Sequence, residues 1–171
     1  MMERVIVIGS PGSGKSSFAR KLHTETGIPL YYLDMLWHKP DRTTVPQEEF
    51  DARLQVILDQ DRWIMDGNYQ RTLEKRLTAC DTVFLLDIPT EICIAGVEAR
   101  IGREREDMPW VETEFDEEFR QYIMEFSQAR LPQIYALLEK HRDRKNIVIF
   151  NSRKEADRYN ILRSGNTANC G

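Results

Sequence analysis

A chain of 171 residues is long enough for one domain and too short for two ordinary ones. Apolar residues at 41% and charged residues at 30% are a globular balance, which excludes disorder as the main state of the chain. The net charge of −4 provides no field that would draw the protein onto nucleic acid or an anionic membrane, so direct nucleic-acid binding is not expected.

The chain opens with MMERVIVIGS, a strand-like run too short and too early for a signal peptide, and no later stretch approaches a membrane span. A cytoplasmic protein with no membrane partner is expected. Cys80, Cys93 and Cys170 show no CxxC spacing and no even count, so they are read as buried or idle thiols.

Directly after VIVI comes Gly9-Ser10-Pro11-Gly12-Ser13-Gly14-Lys15-Ser16-Ser17, which matches GxxxxGK[ST] between a strand and an amphipathic helix. The glycines let successive backbone N–H groups face phosphate oxygens, and the helix N-terminus adds its dipole. Lys15 reaches the β- and γ-phosphates, and the Ser16 hydroxyl is the expected Mg²⁺ ligand. Gly9, Pro11, Gly12, Ser13, Gly14, Lys15, Ser16 and Ser17 are therefore assigned to a nucleoside triphosphate, ATP, bound with Mg²⁺. The cradle names the donor and leaves the acceptor open.

The first helix, Ser16 to Thr26, turns Phe18 and Leu22 inward and stops at Gly27, a C-terminal glycine placed before Pro29. The next strand, LYYLD, ends in Asp34, a carboxylate placed to hold or deprotonate an acceptor hydroxyl, with Trp37 beside it to pack on the acceptor or to serve as core. His38 is read as an exposed loop residue. Pro46 opens a helix over Gln47 to Asp59 that buries Phe50, Leu54, Ile57 and Leu58.

A third strand, RWIMD, ends in Asp66, where a carboxylate orders water around the cradle's magnesium. Gly67 then turns the chain toward Arg71. A fourth strand, TVFLLDIP, carries Asp87, read as a turn or helix start. In the following helix Arg100 and Arg103 are three apart and share a face, with Arg105 beyond them; spacing alone fits either a phosphate-facing pair or a solvated face paired with glutamates.

Residues 104–118, EREDMPWVETEFDEE, are acidic and lack an apolar period, and are read as a lid or mobile loop. The helix beyond runs to about His141, divided at Pro132. NIVIF is a fifth strand, a last short helix follows, and SGNTANCG is an expected frayed tail; His23 and His141 are read as surface residues. Strands alternating with helices and reading as continuous apolar runs predict an α/β protein, a parallel sheet of five strands covered on both faces.

GSPGSGKS, DGNYQRT and ARIGR fall in the order in which adenylate-kinase-like nucleoside monophosphate kinases carry their P-loop, their DGFPRT segment and their RxxGRR lid arginines. YYLDMLWHKPD, WIMDGNYQRTLEKRL, REDMPW and SRKEAD more closely resemble the FlaR-type DNA topology modulation proteins, themselves similar to adenylate kinase. The resemblance implies a three-layer P-loop NTPase fold with a short lid. It makes Asp66 the water-mediated magnesium residue, Arg71 the clamp on the acceptor, Arg100 the partner of the donor base and Arg103 the grip on the transferred phosphate. Arg120 and Arg130 fall where that family places further phosphate-binding arginines, and Ser152-Arg153-Lys154 where it closes over adenine. Asn68-Tyr69-Gln70 replaces Phe-Pro ahead of Arg71, ARIGR is one residue shorter than its counterpart, and the lid carries no zinc cysteines, which points away from AMP as acceptor. The expected function is an ATP- and Mg²⁺-dependent phosphotransferase for a nucleoside monophosphate or another small hydroxyl compound. The alternative is an ATP-dependent regulatory protein of the topology-modulation type, without kinase activity.

Overall fold

The computed structural model describes residues 1–164, so the tail SGNTANCG, with Cys170, lies outside the described residues except for its first position. Five strands, β1 (Arg4–Gly9), β2 (Leu30–Tyr32), β3 (Trp63–Asp66), β4 (Thr82–Leu86) and β5 (Asn146–Phe150), form one parallel sheet in the order β2-β3-β1-β4-β5. The helices are α1 (Lys15–Thr26), α2 (Leu33–Trp37), α3 (Gln47–Leu58), α4 (Gln70–Ala79), α5 (Thr90–Arg100), α6 (Glu117–Ala129), α7 (Leu131–His141), α8 (Arg153–Arg158) and α9 (Ile161–Ser164).

Both faces of the sheet are covered, which is why the central strands read as unbroken apolar runs. Side chains still alternate. Ile6, Ile8, Met65, Val83 and Leu85 join Phe50, Leu54, Leu73, Leu77 and Leu138 in one layer of core. Val5, Val7, Ile64, Phe84 and Leu86 meet Phe18, Leu22, Cys93 and Val97 in the other. On that side the Phe18 ring meets Phe84 and Phe150 edge-on, with centroids 4.9 and 5.1 Å apart, each contact contributing about 1 kcal/mol beyond burial.

The helix boundaries agree with the sequence signals to within a residue or two. Gly27 takes φ 71° and its N–H caps His23 O at 2.8 Å, ending α1. Phe50, Leu54, Ile57 and Leu58 are the buried residues of α3. Pro132 stands at the start of α7, and the chain breaks from α6 to α7 at Arg130. The N-terminus of α6 is capped by Asp116, whose carboxylate accepts the Phe119 N–H at 3.2 Å.

Four readings need correction. Asp34 is not the last residue of a strand: β2 stops at Tyr32, and Asp34 sits in the first turn of α2. Arg100 and Arg103 do not share a helical face, because α5 ends at Arg100 and Gly102, at φ 77°, turns the chain between them. His38 is half-buried against Trp110, with ring centroids 4.9 Å apart. His141 is half-buried too, its Nε2 without a partner. Asp87 is structural, as expected: it accepts the Tyr135 hydroxyl at 2.6 Å and so ties the end of β4 to α7. Cys80 and Cys93 are buried and free. Among the described residues no helix is long and apolar enough to cross a membrane.

Candidate functional site

The parallel order places β1 and β3 side by side, and their carboxyl ends bring the glycine-rich loop next to Asp66. Gly12 holds φ 78°, and a Cβ there would collide with the backbone carbonyl of Cys93 on α5. Gly96, one turn further along α5, is equally tight, for a Cβ there would strike Gly12 O. The loop is thus pressed on a helix that only glycines can approach so closely. Asn68 pins its other end, taking the Gly9 N–H at 3.0 Å and giving its own amide to Gly9 O at 2.6 Å.

At the floor of the site the Ser16 hydroxyl donates to Asp66 Oδ2 at 2.6 Å. Asp66 is 4% exposed, and its Oδ1 has no hydrogen-bond partner. Burial pushes its carboxyl up to about 6, against the opposing pull of Lys15 and the Ser16 hydrogen bond. A second carboxylate arrives from residues 101–116: Asp107 Oδ2 stands 3.3 Å from the same hydroxyl. Asp107 is held by Arg105 through Nε and Nη2, at 3.1 and 2.6 Å. Arg105 Nη1 reaches Glu112 at 2.8 Å, and Arg100 Nε lies 3.3 Å from the same Glu112 oxygen. Burial works to raise the Asp107 carboxyl, but Arg105 and Lys15 outweigh it and hold it below the usual carboxylate range.

Above this floor opens a cavity of about 740 Å³. Lys15, Arg20, Lys21, Arg100, Arg103, Arg105 and Arg153 line it against Glu104, Glu106, Asp107 and Asp157, seven cations to four anions in a chain whose net charge is −4. That local surplus suits a polyanion. Gly12, Ser13, Gly14, Lys15, Ser16 and Ser17 line the cavity. The side chain of Ser13 is nonetheless fully buried, and Ser17 Oγ accepts from Arg20 at 3.2 Å. Arg153, at the start of α8, lies over Gly14 and donates to Gly12 O, while Lys21 ties α1 to Asp157 O at 2.7 Å and Tyr159 O at 2.9 Å.

A second group lies on the β2 side. Tyr69 takes φ 34° at the start of α4, stacks on Phe50 at 5.2 Å, and donates its hydroxyl to Asp34 Oδ1 at 2.6 Å. Trp37 packs edge-on against Phe50 and Tyr69 at 5.6 and 6.5 Å, so it is half core and half pocket wall. The Asp34 carboxylate is near enough to Arg100, Arg105 and Tyr122 for its charge to act on all three. Arg130 lies over the Tyr122 ring, 4.4 Å from its centroid.

Arg71 is not part of this group. It is half-exposed and paired with Asp51 of α3, and its pKa is raised by Asp51. The arginine that does serve the turn is Arg76, fully buried and hydrogen-bonded to Gly67 O at 3.0 Å, Tyr69 O at 3.2 Å, Asn68 O and Thr72 Oγ1. Burial pushes it down to about 10. Gly67 is needed because a Cβ there would lie 3.0 Å from Leu33 Cβ. Arg120 pairs with Glu98 at 3.1 Å and lies over Phe115 at 4.3 Å, a brace between α5 and α6.

Sequence reasoning missed Asn68, Gly96, Arg76 and Asp107. Arg76 had a signal: it falls three residues after Leu73 and one before Leu77, on the apolar face of α4. Asp107 had only the REDMPW resemblance, which marks the segment without distinguishing this acid from its neighbours.

A comparison with known structures places a shikimate kinase from Acinetobacter baumannii, in complex with shikimate, at TM-score 0.62, with 17% identity over 98% of this chain and 96% of that one. The chain has a P-loop kinase-like fold. A sugar kinase from Janibacter sp. HTCC2649 aligns at TM-score 0.51 and 18% identity, covering 96% of this chain and 92% of the other. Among curated proteins, adenylate kinases from Thermotoga neapolitana and Thermotoga maritima are 25% and 26% identical over 89 residues, 51% of this chain. That match spans 40% of the relatives' own length. No family model matches the chain.

Proposed function

We propose that the protein is an ATP- and Mg²⁺-dependent phosphotransferase acting on a small acceptor, with a hydroxyl compound favoured over a nucleoside monophosphate. The observation that carries the reading is the Ser16–Asp66 hydrogen bond at the floor of a net-basic cavity, with an oriented carboxylate, Asp34, on the neighbouring side. The volume of about 740 Å³ accommodates a nucleoside triphosphate.

The donor set suits magnesium: an unpartnered carboxylate oxygen on Asp66 and the Ser16 hydroxyl are hard oxygen ligands, and both stand at the triphosphate end of the cradle. When bound, the ion neutralises charge on the β- and γ-phosphate oxygens. The loop N–H groups and Lys15 hold the triphosphate, while Arg100 and Arg103 spread the charge that develops on the transferring group. Arg153 closes the nucleotide end. Asp34, oriented by Tyr69, accepts the proton of the acceptor hydroxyl as its oxygen bonds to the γ-phosphorus and the bond to the β-phosphate oxygen breaks, releasing ADP. Arg130 on Tyr122 offers a cation for an acidic acceptor. Residues 101–116 shield the transfer from water.

Two observations favour a hydroxyl acceptor: Arg71, the counterpart of a monophosphate clamp, is turned to Asp51, and Asp34 is presented with a fixed hydrogen-bond geometry. Within the kinase-like fold we place the chain nearest the FlaR-type proteins, on the REDMPW segment that carries Asp107 and Trp110.

ATP turnover measured against a panel of sugars, hydroxy acids, nucleosides and nucleotides tests the reading. At least one acceptor should raise ATP consumption tenfold or more above the basal rate, and Lys15→Ala should abolish the increase. If saturating acceptors never raise turnover, the protein uses its nucleotide for another purpose, regulation of a partner being the next reading.

A further inference from the structure

We propose that Asp107 is the metal-sensing group of the lid: its carboxylate repels a bare triphosphate and joins the shell of a triphosphate-bound divalent cation, so the site discriminates Mg-ATP from ATP. The proposal rests on the triphosphate reading of the cavity given above.

The starting point is an imbalance. The Ser16 hydroxyl has one hydrogen, and two carboxylates converge on it, Asp66 at 2.6 Å and Asp107 at 3.3 Å. Both are nearly buried, at 4% and 6% exposure, and Asp66 Oδ1 accepts from nothing. Arg105 neutralises Asp107, but its third nitrogen is engaged by Glu112, so no charge is left over for Asp66. Lys15 is a cation whose charge acts on both acids, and a triphosphate would claim it. Once that happens, the pair of carboxylates faces phosphate oxygens with only a divalent ion able to reconcile them.

The same residues are too few to hold an ion alone. Among the described residues, no three of His, Cys, Asp and Glu converge as a metal cage. Two carboxylates and a hydroxyl leave an octahedral magnesium short of ligands that phosphate oxygens and water must supply. Cation and nucleotide are then bound together or not at all.

A lid ion pair alone would not explain the position of Asp107. Glu104 and Glu106 line the cavity as well, yet both are exposed, and only Asp107 among the lid acids reaches the cradle hydroxyl. Glu112, the other partner of Arg105, lies half-buried at the lid's base and serves Arg100. The lid thus delivers one selected carboxylate onto the metal position.

Equilibrium binding of ATP by the full chain, measured once in EDTA and once with saturating Mg²⁺, tests the proposal without requiring an acceptor. Asp107→Asn should tighten metal-free ATP on the order of tenfold, as removal of one like charge at close range does, and weaken Mg-ATP by a similar factor. The ratio of the two affinities then falls about a hundredfold. A role confined to bracing Arg105 predicts that both affinities fall together, and that result overturns the proposal. Asp107→Glu, which keeps the charge and the pairing, should retain the wild-type ratio; loss of the ratio in this variant also counts against the proposal. Wild-type protein that binds neither form overturns the triphosphate reading itself, which separates the two failures.

Discussion

Asp66→Asn offers a quantitative check on the buried carboxylate, independent of activity. In metal-free protein the folded-state pKa of Asp66 is about 6 against an ordinary 3.8, so the folded chain binds this proton more tightly than the unfolded chain does. Between those values the folded state holds more proton, and stability must fall as pH rises. The shift is about 2 units, and at about 1.4 kcal/mol per unit the loss is roughly 3 kcal/mol, present in full above pH 6 and absent below pH 4. Asparagine has the same shape, still accepts from Ser16, and carries no charge. Its fixed packing and hydrogen-bond differences are the same at every pH, so they cancel when the variant-minus-wild-type stability is compared across the window. Urea unfolding in EDTA at several pH values from 3.5 to 8 should therefore show the variant gaining about 3 kcal/mol on the wild type as pH rises, a relative midpoint shift of about 1 to 2 M. Mg²⁺ added with ATP should stabilise the wild type and not the variant. Parallel pH curves for the two proteins would refute the argument that Asp66 is ionised against its environment.

Three further outcomes follow from the geometry. Gly12→Ala places a Cβ against the Cys93 carbonyl at a positive φ, and should lower stability by at least about 2 kcal/mol, read by denaturant unfolding, while abolishing ATP binding. Tyr69→Phe removes the hydroxyl that orients Asp34, a hydrogen bond to a charged group, and should destabilise by about 1.5 to 3 kcal/mol and cut kcat ten- to a hundredfold with ATP affinity unchanged, checked by thermal melting and by separate kinetic and binding assays. Arg71→Ala breaks an exposed ion pair and should change the acceptor KM by less than twofold and stability by under about 1 kcal/mol; a tenfold rise in KM would return this arginine to the acceptor site.

Much of the fold was legible because the buried parallel strands announce themselves as apolar runs and the helices by capped periodic faces. The P-loop was legible for a stronger reason, since its residue types are dictated by backbone geometry within a few positions of each other. The Asp34 side was harder. Arg71 and Arg76 are five positions apart on one helix, and only the packed structure distinguishes the arginine that faces Asp51 from the one that braces the backbone of Gly67, Asn68 and Tyr69. Asp34 was expected at a strand end and lies in a helix, because a three-residue strand followed at once by a short helix leaves no periodic trace. The segment 101–116 was hardest. Its order comes from Arg105, Asp107, Glu112 and Arg100 meeting across a turn at Gly102, and charge pairing of that kind has no period for a sequence to display.

Residues 101–116 touch both halves of the candidate site at once, and this connects the proposed function to the fold. Asp107 reaches the Ser16 hydroxyl on the cradle side, and Trp110, three residues later, meets His38 at the end of α2 on the Asp34 side. Under the proposed function, a segment that contacts the triphosphate side through Asp107 and the Asp34 side through Trp110 would respond to both substrates at once. Such coupling would give the proposed phosphotransferase a way to withhold phosphate from water until the acceptor arrives.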